Sequence, residues 1–299
     1  MRAFAQKRFT SFALLLALFL PISVQASEHL ESPDFSLVVV KAEELAQKYG
    51  KRNVLVVYDI DNTLLAPNQD LGSDQWFAWQ ERKITTGNVG GGAVAKDMAG
   101  LFEIQGILFA ISRTHTPDPQ TSNVVQGLGQ SGFTELILTS RGPEYRDATL
   151  RELARNNVMV GAYTLPPRAG FPATFLPYDL SKNDLGGLDP AEVAALKLAP
   201  ARPVSFQNGV FMGSGQHKGV MLRTLLTKTG QWFKGIVFID DTPKHSERMQ
   251  AAFLPKGVDL VTIRYSAEDA NVQRFNESNK ADVISAWETL KAALTGVFK

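Results

Sequence analysis

Cysteine is absent from the 299 residues. That excludes disulfides, thiol nucleophiles, thiolate metal sites and a cysteine-linked lipid anchor. It does not argue against export, because a chain of this size can rest on its hydrophobic core alone. A strong charge of either sign is also missing. The 31 basic and 30 acidic side chains leave a formal +1, which gives no reason to expect nucleic acid or an anionic membrane as partner. The apolar run at residues 12–20 falls short of the ~20 residues that span a bilayer. Internal repeats and low-complexity tracts are lacking as well.

What is present is ordinary globular material, 44% apolar and 20% charged, enough for one large domain or a core carrying an insertion. The first 26 residues stand apart. Arg2, Lys7 and Arg8 make a basic start, the apolar run follows, Pro21 breaks it, and Val24-Gln25-Ala26 offers small residues for a peptidase. This reads as a signal peptide (1–26) cut after Ala26, leaving a single domain over 27–299. The cut removes three positive charges and takes the balance from +1 to −2. The expected location is exported, periplasmic or secreted, with no stable membrane anchor.

Along the mature chain, residues 27–34 read as a polar linker and 35–48 as an amphipathic helix. Residues 54–58, "VLVVY", are too apolar for a solvated face and predict a strand in the middle of a sheet. A second apolar run lies at 107–111. Strands are predicted around 136–138, 158–163, 236–239 and 258–263, with a hairpin or strand at 204–212 about Asn208-Gly209. Helices are predicted at 121–128, 144–155, 191–198, 219–227, 246–253 and 281–294. Alternating strands and helices argue for an α/β fold with a parallel sheet covered on both faces. Residues 66–118 and 164–210 resist the alternation and read as insertions.

In such a sheet a ligand sits beyond the carboxyl ends of the strands. Four polar sets follow the apolar runs. They are Asp59-Ile60-Asp61-Asn62-Thr63, Thr139-Ser140-Arg141, Lys218 at a helix start, and Asp240-Asp241. Asp59 and Asp61 so close together repel, and ending a buried strand on them needs a balancing cation or reacting group. Carboxylates among hard oxygens suit Mg²⁺, and a hydroxyl with an ammonium suits an anion.

The order of these sets resembles the haloacid dehalogenase-like (HAD) superfamily, mostly phosphohydrolases. "DIDNTLL" followed by "LGSDQWF" is similar to an uncharacterised bacterial subfamily of exported and effector-like proteins. The resemblance implies a HAD-like doubly wound parallel sheet (Rossmannoid) with two cap-type insertions, at about 66–118 and 164–210. It implies Asp59 as nucleophile and Asp61 as acid and base, and Mg²⁺ held by Asp59, Asp240 and the main-chain carbonyl of Asp61. Thr139, Ser140 and Lys218 would hold phosphoryl oxygens, with Thr63 and Asp241 in support. The implied activity is phosphomonoester hydrolysis through an aspartyl-phosphate, on a small phosphorylated substrate. Phosphotransfer to an alcohol on the same site, or a secreted binding or effector protein with little turnover, are the alternatives.

Several residues have a plain structural reading beside the functional one. Ser112 follows the apolar run "LFAI" as Thr139 follows "ELIL", so it rivals Thr139; either hydroxyl could instead cap the next helix. Asp240-Asp241 could be a helix N-cap pair, and Lys218 a solvated surface lysine. Trp76, Phe77 and Trp79 fit a plain core or a pocket wall. Arg141 fits a surface ion pair or a phosphate contact. His115, His217 and His245 lack metal-ligand spacing, with His217 expected to be exposed. Gly90-Gly91-Gly92 lacks the strand–turn–helix setting of a phosphate loop.

Overall fold

The computed structural model describes residues 27–298. The expected signal peptide lies outside them. Strand β1 (Ser27–Ser32) precedes helix α1 (Leu37–Tyr49) and the central strand β2 (Val54–Tyr58). Then come a two-residue strand β3 (Ala66–Pro67), helices α2 (Asp74–Thr85) and α3 (Met98–Ile111), and β4 (Thr114–His115), which pairs with β3. Next are α4 (Thr121–Gln130), β5 (Thr134–Thr139), α5 (Arg146–Arg155), a short α6 (Pro190–Ala195), and the hairpin of β6 (Ser205–Gln207) and β7 (Val210–Met212). The rest alternates: α7 (Lys218–Thr229), β8 (Gly235–Asp240), α8 (Pro243–Phe253), β9 (Asp259–Tyr265), α9 (Asp269–Glu277) and α10 (Ala281–Val297).

The seven-stranded sheet has the order β1-β9-β8-β2-β5-β7-β6. Every neighbouring pair is parallel except β6 with β7. Helices flank it on both sides, so the architecture is α/β with a mostly parallel mixed sheet, compatible with double winding. From β2 the chain first adds β5 on one side and later β8 on the other. That makes the carboxyl end of β2 a topological switch point, the crevice where open α/β sheets take ligands.

Burial explains why β2 sits there. All five of its residues are fully buried. Val54, Val56 and Tyr58 face Phe35, Val38 and Ala42 on the α1 side. Leu55 and Val57 face the cluster formed by Leu222 and Leu225 of α7 with Met249 and Phe253 of α8. Each such burial contributes roughly 1.5–3 kcal/mol, which favours a strand with no polar face. A third cluster, with Trp76, Leu101, Leu108, Phe275 and Trp287, ties α2, α3, α9 and α10 together.

Two expectations change. Residues 27–32 form an edge strand rather than a linker, pairing Ser27 to Leu260 through Ser32 to Tyr265. An edge can carry Glu28 and Glu31 because charge there discourages further pairing. The apolar run at 107–111, given no element from the sequence, is the end of α3. Leu101, Gln105 and Leu108 form its buried stripe, while Ile107 and Ile111 are exposed. Residues 158–163 turn instead of pairing; Tyr163 N–H donates to Val160 O, and only the Glu135 N–H bond to Tyr163 O touches β5. Of the two irregular stretches, 66–118 carries α2, α3 and the β3–β4 pair. The other is mostly turns, but Leu165, Tyr178, Leu188 and Val204 enter the core cluster beneath α7. No helix among the described residues is long and apolar enough to cross a membrane.

Candidate active site

Asp59 follows β2 directly, and its N–H still pairs with Ile239 O of β8 at 3.0 Å. The chain then reverses. The N–H groups of Thr63, Leu64 and Leu65 all donate to Ile60 O, and Asn62 sits in the left-handed region at φ 55°. Asparagine adopts that conformation more readily than most residues. Ile60, Leu64 and Leu65 are buried, so the turn is anchored while Asp59 and Asp61 project at the sheet edge.

Each acid has its own cation. Lys218 Nζ lies 2.5 Å from Asp59 Oδ1 and 2.6 Å from Asp240 Oδ2, at the first residue of α7. All three residues are buried. Gly219 lets α7 approach this closely, because a Cβ there would lie 2.3 Å from Arg248 O of α8. Burial works against the lysine's charge, but Asp240 and Asp59 outweigh it and hold its pKa above the ordinary value. Burial, then the Asp240 charge, pushes Asp59 well above the usual carboxylate range. Burial also acts on Asp240, yet Lys218 and His245 overcome it and hold its carboxyl low.

Arg141 holds the other acid. Its Nη2 donates to Asp61 Oδ1 at 2.7 Å and its Nε to Oδ2 at 3.0 Å, a two-pronged fork. Nη1 donates to Thr149 Oγ1, and the guanidinium stacks 4.0 Å above the Phe109 ring. The arginine is buried, so the alternative of a surface ion pair is corrected. Thr139 Oγ1 accepts from Arg141 N–H at 3.1 Å and fixes the turn after β5. The loop after β7 zips onto that turn, with Gly213 N–H donating to Thr139 O and Gly215 N–H to Ser140 O.

Thr63 and Asp241 join the first and last motifs, since Thr63 Oγ1 accepts from Asp241 N–H at 3.0 Å. Burial, followed by Asp240 and Asp74, pushes Asp241 well up. Asp74, at the start of α2, lies in an opening onto this cluster. Its carboxyl is accessible along the opening, and dense protein around it with nearby Asp61 raises it to about 6. A cleft of about 620 Å³ spreads outward from here, with Asp61, Asp74, Ser140 and Arg141 on its wall.

A family described as a protein of unknown function (DUF2608) matches residues 38–296, which takes in every residue named so far in this site. The chain belongs to that family. No curated protein matches it.

In this DUF2608 chain, Lys218 touches both Asp59 and Asp240, Asp61 stands beside them on Arg141, and Thr139 and Ser140 close β5 next to β2. Ser112 is not among them. It follows a helix, is half-buried, and accepts a bond from Gln69. Trp76 belongs to the third core cluster, Phe77 and Trp79 pack against it, and Phe77 also reaches the cleft. His217 is half-buried rather than exposed; it caps α7 by accepting from Val220 N–H, and burial with nearby Arg248 lowers it to about 4. His115 sits apart, near Asn68 and Glu268.

Sequence reasoning missed three members. His245 Nδ1 lies 2.9 Å from Asp240 Oδ1, and the signal was its place in the first turn of α8, five residues on. Arg141 and Asp74 are the others. Asp59, Asp240 and His245 offer ligand atoms that all lie within 4.8 Å of one another. Asp59, Asp61, Asp74, Asp240 and Asp241 outnumber the fixed cations Lys218 and Arg141. That surplus of hard oxygen donors fits a divalent cation of the Mg²⁺ type. His245 already faces Asp240, so it orients that carboxylate.

Proposed function

We propose that this chain is an exported, Mg²⁺-dependent phosphomonoester hydrolase that works through an aspartyl-phosphate, on a HAD-like core whose stretches at about 66–118 and 164–210 act as caps. The observation that carries the reading is the buried Lys218 bridge between Asp59 and Asp240, one turn away from Asp61, at the switch point of the sheet. Burying two acids on one lysine is costly as a stability device, and such perturbed groups cluster at functional sites.

Asp59 attacks phosphorus, an Asp59–phosphorus bond forms, and the bond to the leaving oxygen breaks. Asp61 gives its proton to that oxygen, so the product leaves as a neutral alcohol. Water then attacks the same phosphorus and passes a proton back to Asp61. The Asp59–phosphorus bond breaks and inorganic phosphate departs. Lys218, Thr139 and Ser140 hold the phosphoryl oxygens, where positioning and charge supply most of the rate. Asp59, Asp240 and the Asp61 carbonyl would hold a divalent cation, which would supply positive charge to keep Asp59 ionised and to polarise the phosphoryl group. Export rests on the basic start and apolar run of the first 26 residues.

Acid quenching during turnover of an aryl phosphate tests the intermediate. A peptide containing Asp59 should gain the mass of one phosphoryl group, and the gain should be absent in Asp59→Asn. A phosphoryl group on any other residue would refute the assignment.

A further inference from the structure

The cleft beside Asp61 has walls of Phe77, Phe102, Phe109 and Tyr145, and most of its surface is apolar. Phe77 and Phe102 stack at 5.8 Å, and Phe109 meets Tyr145 edge-on at 5.2 Å, so the rings support one another in place. Tyr145 Oη donates to Phe102 O and ties the two walls together. Phe102 is 42% exposed, although burying its ring in the adjoining core would be favourable. Its ring is spent on the cleft instead.

The two acids differ in their relation to this cleft. Asp61 lies on its wall and Asp59 does not. The group that receives a proton from Asp61 is the leaving oxygen, so the leaving alcohol must extend from Asp61 into the ring-lined space. The phosphoryl group stays inward, by Lys218. The volume, about 620 Å³, falls within the range of small-molecule sites, roughly 300–1,000 Å³. It is several times what a glycerol-sized alcohol would fill.

We propose that the substrate is a small phosphomonoester whose leaving alcohol carries an apolar ring, held between Phe77, Phe102 and Tyr145. This rests on the phosphatase reading of Asp59 and Asp61 and extends it to the substrate class. The ring replaces water against aromatic faces, in offset or edge-on contact. A compact polar alcohol would leave those faces wet.

Phosphonates test this without turnover, because their carbon–phosphorus bond is not cut. Calorimetry of the mature chain (residues 27–299) with Mg²⁺ would compare benzylphosphonate, ethylphosphonate and 2-aminoethylphosphonate. Benzylphosphonate should bind at least tenfold more tightly than ethylphosphonate, and Phe102→Ser should reduce that ratio to within about threefold. The half-exposed position of Phe102 leaves the core intact, and circular dichroism of the variant checks it. Equal affinity for benzyl- and ethylphosphonate would overturn the ring-binding proposal and leave the phosphatase reading standing. Tightest binding of 2-aminoethylphosphonate would overturn it too, showing that Asp74, Glu81 and Glu144 on the same cleft select an ammonium instead. If benzyl alcohol binds as well as benzylphosphonate, or if no phosphonate binds, the anion site itself fails and the phosphatase reading falls with the proposal.

Discussion

Lys218 Nζ stands 2.5 Å from Asp59 Oδ1, a contact between the first residue of α7 and the first residue after β2 with both side chains buried. The same ammonium reaches Asp240. Removing it leaves two acids facing each other without water. Lys218→Met should therefore cost about 3–5 kcal/mol of unfolding free energy. Adding Asp59→Asn to that variant should recover part of the loss, because a neutral amide no longer opposes Asp240. Urea unfolding of the two single variants and the double variant measures this cycle. A loss of ~0–1 kcal/mol for Lys218→Met, as an exposed pair gives, would contradict a buried bridge.

Arg141 is a positioning residue for Asp61. Its fork engages both Asp61 oxygens, so proton delivery from Asp61 requires one prong to let go. Arg141→Lys keeps the charge and loses the second prong and the stacking on Phe109. Turnover should fall about 10–100-fold with little change in Tm, and the alkaline limb of the pH–rate profile, where a general acid loses its proton, should move. A Tm drop with an unmoved pH profile would reduce Arg141 to a structural role.

Glu135 supplies a pH dependence remote from the acids. It is fully buried on β5, accepts from Tyr58 Oη at 2.7 Å, and its second oxygen has no partner among the described residues. Burial pushes its carboxyl from 4.5 up to about 8. The folded chain thus keeps a proton that the unfolded chain releases, and stability falls as pH rises from about 4.5 to about 8. The slope is at most about 1.4 kcal/mol per pH unit. Glu135→Gln should flatten the profile of Tm against pH in that window. Parallel profiles for the two proteins would show that Glu135 ionises freely in the fold.

Thr139 and Ser112 can be separated by one substitution each. Thr139 ends a strand beside β2, and Ser112 is half-buried after α3, away from the acids. Thr139→Ala should lower turnover at least tenfold, on the scale of one lost oxyanion contact. Ser112→Ala should leave it within about twofold, as most surface substitutions do. The reverse pattern would move the phosphate site.

The strand β2 and the places of Asp59, Asp240 and Lys218 were legible because a short apolar run rich in valine, bounded by polar residues, fits a central strand, and polar residues after such a strand stand at the sheet edge. The Arg141 fork was not. Its partner Asp61 is remote in the chain, and a strand-end arginine has the same local sequence whether it turns outward or inward. His245 was hidden for a related reason: its spacing from Asp240 follows no metal-ligand repeat, and only the turn of α8 brings the two together. "ILFAI" at 107–111 was not legible as a helix because apolar residues on both faces erase the helical period, although only Leu108 of that run is buried. Residues 27–32 look like a linker because an edge strand needs no apolar face, only a free neighbour in β9.

The most direct measurement is release of phosphate from a chromogenic aryl phosphate by the mature chain, with Mg²⁺ and with EDTA, beside Asp59→Asn. The expected result is release that needs Mg²⁺ and is lost in a folded Asp59→Asn variant. Release that survives EDTA or survives Asp59→Asn would contradict the account at its centre.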